Sequence, residues 1–159
     1  MTSRMLAWGI VLLACPLSLL PASAAERIYC AASDDHIDLS LELGFDKRDP
    51  ERLHHFRGIA ALKGSAPQAG TQRFRLESEM IRQYWIDDKD LRLSLRNALP
   101  SRRPALGLSI VLQTERKSMG TLRFEGVYEA KLVRHTQSGT AAGETMMDET
   151  APIFCAIKR

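Results

Sequence analysis

Three clusters in the sequence carry side chains able to do chemistry. Asp34-Asp35-His36-Ile37-Asp38 gathers three carboxylates and an imidazole within five residues, a set suited to a divalent cation or to proton transfer. No EF-hand spacing accompanies them and they introduce an alternating run, so turn and strand-edge chemistry is the expectation. His54-His55 supplies two imidazoles, but adjacent residues on a strand face opposite sides and cannot easily chelate one ion. One is expected to face the interior or a cavity mouth and the other solvent, with a histidine beside Arg57 placed to meet an anionic ligand. The third cluster is a set of arginines on outward strand positions: Arg73 and Arg75, Arg92 and Arg96, and Arg123. On neighbouring strands these would form a basic stripe that grips carboxylates or phosphates bidentately, with Trp85 as an aromatic anchor. Interleaved Glu77, Glu125 and Glu129 allow cross-strand ion pairing instead, and Trp85 suits a core position equally well. No metal site and no cofactor follow from these patterns.

Catalytic signatures are missing. The sequence has no P-loop, dinucleotide glycine turn, nucleophile elbow or H-E-x-x-H pair. No serine, cysteine or carboxylate pair has the local setting of a nucleophile or an acid–base couple. The clusters point to binding rather than turnover.

The start of the chain bears on which cysteines matter. Arg4 precedes an apolar run from Met5 to Leu20, and the small residues Ala22, Ser23 and Ala24 follow. This is the pattern of a secretory signal peptide. Residues 1–25 are expected to be a leader cleaved near Ala24 or Ala25, leaving one domain at 26–159. Pro16, Pro21 and a marginal length argue against a membrane anchor, so no stable span is expected in the mature chain. Leu12-Leu13-Ala14-Cys15 resembles a bacterial lipobox, the minor alternative, in which Cys15 would carry lipid. Leu13 is atypical there, and PLSLLPASAA continues the apolar run where a lipoprotein tether is polar.

Loss of Cys15 would leave Cys30 and Cys155, near the two ends of the mature chain. In an oxidising compartment such a pair is expected to form a structural disulfide. The 22 basic and 19 acidic residues give a net charge of +3, reduced to +2 when Arg4 is lost. That balance is too even for a dedicated nucleic-acid binder. Arginine makes up 16 of the basic residues and Asn97 is the only asparagine, a bias associated with GC-rich bacterial genomes. With the leader, it points to the bacterial periplasm, or to secretion.

The elements that must position these residues are strands. From Ile37 to Phe45 every odd position is apolar and every even one polar or small, the period of a strand with one buried face. Similar alternation marks 91–96, 106–113 and 122–132. The 53–63 stretch is less regular, with Phe56, Gly58, Ala60 and Leu62 as the better inward set. Residues 73–86 favour strand with a break near Ser78. Short strands at 27 and 152 place both cysteines on inward faces, able to bridge if those strands are neighbours. Lys63–Thr71 and His135–Thr150 read as long loops.

A single small antiparallel β-barrel of about eight strands satisfies this pattern, because closure removes exposed edges. A two-sheet β-sandwich is the alternative. The expected function is that of an exported, non-enzymatic module of the bacterial cell envelope that engages a protein or an anionic envelope component. The alternative is a lipocalin-like carrier of an apolar small molecule, with room left by Gly58, Ala60, Gly126 and Ala130. A small hydrolase ranks third.

Overall fold

The computed structural model describes residues 26–63, 72–99, 104–135 and 143–158. The leader, its cleavage site and Cys15 lie outside the described residues, as do 64–71 and 136–142 of the two expected loops. Nine strands follow in order: β1 (Arg27–Ser33), β2 (Ile37–Phe45), β3 (Leu53–Leu62), β4 (Gln72–Glu77), β5 (Ile81–Ile86), β6 (Asp90–Arg96), β7 (Ala105–Glu115), β8 (Arg123–His135) and β9 (Glu144–Lys158). A 3₁₀ turn, Ser78–Met80, separates β4 from β5, so the break expected near Ser78 is present. No helix among the described residues is long and apolar enough to cross a membrane.

The strands form one strongly curled sheet in the order β4-β3-β2-β1-β9-β8-β7-β6-β5, consistent with a small β-barrel. Every ladder is antiparallel. Eight antiparallel steps from β4 to β5 give those two strands the same direction, and only three residues separate them. They are two halves of one path, the first paired with β3 and the second with β6. Nine strands by ladder are thus eight by direction, which reconciles the count with the expectation. Curling brings the ends of the sheet together: the Leu53 amide donates to the Tyr84 hydroxyl at 3.2 Å, from β3 to β5.

Alternation directs the core. Ile37, Leu39, Leu41, Leu43 and Phe45 of β2 meet Leu91, Leu93 and Leu95 of β6 and Ile110 and Leu112 of β7 in one buried cluster. Phe56, Ala60 and Leu62 are buried as expected, while Ile59 on the opposite parity is 50% exposed. The small inward residues do not leave open space. A Cβ on Gly58 would lie 2.7 Å from Leu41 Cδ2, and one on Gly126 would fall on the Gln113 carbonyl oxygen and 2.7 Å from Thr114 Cα. Glycine is needed at both positions for close packing.

Two boundaries differ from the expectation. The stretch to Thr150 is not all loop: β8 runs to His135 and β9 already begins at Glu144. The outer half of β9 hides its strand character because most of it is exposed or half-exposed, so no apolar alternation marks it. A register shift, with Leu132 opposite Met147 but Val133 opposite Thr145, also skips Met146 and inverts the parity there. Cross-strand pairs hold this half, Lys131 to Asp148 at 2.9 Å and Arg134 to Glu144 at 3.3 Å. Leu122, the first residue of the alternating 122–132 stretch, lies ahead of β8 and is 44% exposed.

Candidate functional site

Cys30 and Cys155 stand directly opposite each other in the β1–β9 ladder, both buried, and form a disulfide. The parity of each cysteine within its strand places both inside, and the adjacency of first and last strands brings them together.

The five arginines do not share a stripe. Arg73 and Arg75 are on β4 and Arg92 and Arg96 on β6, near opposite ends of the sheet order, while Arg123 is on β8, two strands from β6. Their surroundings are local. Arg92 lies 3.8 Å from Asp90, and the Arg123 guanidinium sits 5.3 Å from the centre of the Phe154 ring. Trp85 is outside the core, 59% exposed, and its indole N–H donates to Asp87 at 3.0 Å. With Gln83, Arg92, Ser94, Val111 and Gln113 it borders an open groove of about 580 Å³ on the outer wall of β5–β7.

A second groove of similar volume, on the outer wall of β1–β4, is built around a carboxylate that sequence inspection passed over. Glu42 points outward from β2, yet is only 6% exposed. Register explains the burial: Glu42 stands between Tyr29 of β1 and Arg57 of β3. Arg57 donates from Nε to Glu42 Oε2 at 2.6 Å, and Arg27 from Nη1 to Oε1 at 2.5 Å. The Tyr29 hydroxyl lies 3.4 Å from the same Oε1. Both guanidiniums are thus fixed to one carboxylate by charge-assisted bonds. The bulge at His54 lies between the β2–β3 turn and this pair, so counting regular hairpin register from the turn would put Phe56 opposite Glu42 and miss Arg57.

The next outward row crosses five strands: Arg75 of β4, Ile59 of β3, Ser40 of β2, Ala31 of β1 and Phe154 of β9. Ile59 and Phe154 are 50% and 47% exposed and Tyr29 38%, and the small Ser40 and Ala31 form a low floor between them. Val127 and Pro152, paired across β8–β9, continue the apolar surface beyond Phe154.

The acidic cluster at 34–38 forms a turn, as expected. Asp34 Oδ1 accepts from the amides of His36 at 2.8 Å and Ile37 at 3.0 Å, and Asp38 pairs with Lys63 at 2.7 Å. Asp34 also receives the hydroxyl of buried Tyr128, which ties the β1–β2 turn over the barrel end. Burial works against ionisation of Asp34, but bonds from Tyr128, His36 and Ile37 outweigh it and hold the carboxyl below its usual range. Burial also opposes ionisation of Glu42, and the bonds from Arg57 and Arg27 prevail in the same way. Burial first, and then Asp34, raises the Tyr128 phenol well above its ordinary value.

A carboxyl whose pKa is lower folded than unfolded adds stability that is complete above the unfolded value and lost as pH falls through the folded one. Stability is therefore expected to be level near neutral pH and to decline below about pH 4. Urea unfolding of Asp34→Asn at pH 7 and pH 3 checks this: the variant should be weaker at pH 7 and close most of its gap to the wild type at pH 3. An equal gap at both values would remove Asp34 from the account.

His54 and His55 depart from the expectation of opposite faces. Gly44 pairs with His55 and Phe45 with Leu53, so His54 is an extra residue in a bulge. Both histidines line one cleft with Gly44, Arg27 and Arg57, their ring centres 6.5 Å apart. A regular strand would have separated them.

No family model matches the chain, and no curated protein or solved structure is significantly similar to it.

Proposed function

We propose that the chain is an exported, non-enzymatic binding module of the bacterial envelope that engages an acidic protein surface through the outer wall of β3-β2-β1-β9. The observation that carries this reading is the contiguous exposed row Ile59–Ser40–Ala31–Phe154, edged by Tyr29 and by Arg57, Arg75 and Arg123. An apolar patch rimmed by arginines is the chemistry of an interface centre with charge steering at its edge. Export is supported by the leader pattern of residues 1–25 and by the disulfide, which persists in oxidising compartments. A binding role is favoured over a carrier because neighbouring atoms occupy the space beside Gly58 and Gly126, and Ala60 and Ala130 are buried within the core.

Site-specific photocrosslinking tests the face. A photoreactive residue at position 59 or 154, in chain expressed in its own host, is expected to trap a discrete acidic protein. The same residue at Met119, 84% exposed on the β7–β8 turn, should trap none. Equal products from all three positions would remove the proposed face.

A further inference from the structure

We propose that the cleft between Arg27, Gly44, His54, His55 and Arg57 is a binding site for a phosphate group, either a soluble phosphoryl compound or a phosphomonoester head of an envelope lipid. This goes beyond the protein-docking row and uses neither Ile59 nor Phe154.

Four of the five lining side chains are guanidinium or imidazole, and the fifth residue is glycine. Their convergence depends on the bulge, since regular pairing would send one imidazole to the far side of the sheet. Bulges often redirect side chains at functional positions, and this one adds a second imidazole to the pair of arginines. Gly44 makes the close approach possible: a Cβ there would lie 3.1 Å from His54 Cε1 and 3.2 Å from His55 Cβ.

Electrostatics favour an anion. Glu42 binds both guanidiniums, so two positive charges are offset by one negative charge and the clamp keeps a net single positive charge. The clamp also fixes the forks before any ligand arrives, which lowers the entropy lost on binding. Arg57 commits Nε and Nη2 to Glu42, and Arg27 commits Nη1. A guanidinium carries five N–H donors, so each fork keeps donors that Glu42 does not take. Planar forks of this kind match phosphate oxygens bidentately. The cleft holds about 320 Å³, roughly ten water volumes, enough for a phosphate head.

Inorganic phosphate titrated into the full mature chain, followed by amide and arginine Nε NMR shifts, tests the site at fixed ionic strength. Saturable shifts confined to residues 27, 44, 54, 55 and 57 are expected. His54→Gln/His55→Gln leaves the Glu42 clamp in place and should weaken binding about tenfold. Vesicles of phosphatidylcholine with and without phosphatidic acid form the second arm. Capture by the phosphatidic acid vesicles alone, lost in the histidine variant, would assign the lipid source, whereas phosphate saturation without capture would assign a soluble ligand. Failure to saturate with phosphate and to bind either vesicle overturns the proposal, as does a histidine variant that binds like the wild type. Neither outcome would touch the docking row.

Discussion

Replacing Cys30 and Cys155 by alanine is expected to lower the stability of the domain by about 4 kcal/mol and its melting temperature by roughly 10–15 °C. The two cysteines are 125 residues apart in sequence, so the bridge restricts most of the unfolded chain. Its place in the topology makes the effect large. Every other ladder joins strands that follow one another along the chain, whereas β1–β9 joins the first to the last. That ladder spans five residue pairs, Arg27–Lys158 to Ala31–Phe154, and among the described residues it alone connects the β1–β4 half of the sheet to the β5–β9 half by strand pairing. Without the bridge, the closure entropy of the whole chain falls on those five pairs. Chemical unfolding of the oxidised wild type and the double alanine variant measures the difference. A change below about 1 kcal/mol would mean that the ladder closes without help.

The parts of the fold that could be read in advance are those where burial is one-sided. β2 and β6 have a buried face and a polar one, so their side-chain types report the pleat directly. The cysteine pairing was legible for the same reason, because parity put Cys30 and Cys155 inside and the ends of the chain were the natural place for closure. The outer half of β9 was not legible, because its side chains remain largely accessible and Met146 shifts the register. The site was less legible than the fold. Glu42 looks like any outward polar residue of an alternating strand. Its burial comes from Arg27 and Arg57, each 15 residues away, and is visible only once register is fixed. The five arginines fall on β4, β6 and β8, which do not pair with one another, a strand order that local pattern does not encode. The paired histidines became neighbours of one cleft through a single inserted residue.

Ile59→Asp combined with Phe154→Asp is expected to weaken partner binding at least about 100-fold while leaving the fold in place. Each residue is about half-exposed, so each offers an accessible anchor whose removal costs little internal packing. Anchors at the centre of an interface contribute about 2 kcal/mol or more each when truncated, about 30-fold in affinity. The new carboxylates would add repulsion toward an acidic partner in a surface edged by Arg57, Arg75 and Arg123, where Glu77 already stands opposite Arg57 and Glu125, paired with Lys117, stands opposite Phe154. Aspartate is a poor strand residue, so the variant is expected to melt a few degrees lower with an unchanged β-sheet circular dichroism spectrum.

Native mass spectrometry of wild-type and double-variant chain, each purified gently from the envelope fraction of its own host, tests the central claim most directly. The wild type is expected at the mass of a chain cleaved near Ala24 or Ala25, two hydrogens lighter for the Cys30–Cys155 bridge, bound to a protein partner that the variant has lost. A small apolar molecule bound to both chains, with no protein partner on either, would contradict the interaction module and make the barrel a carrier.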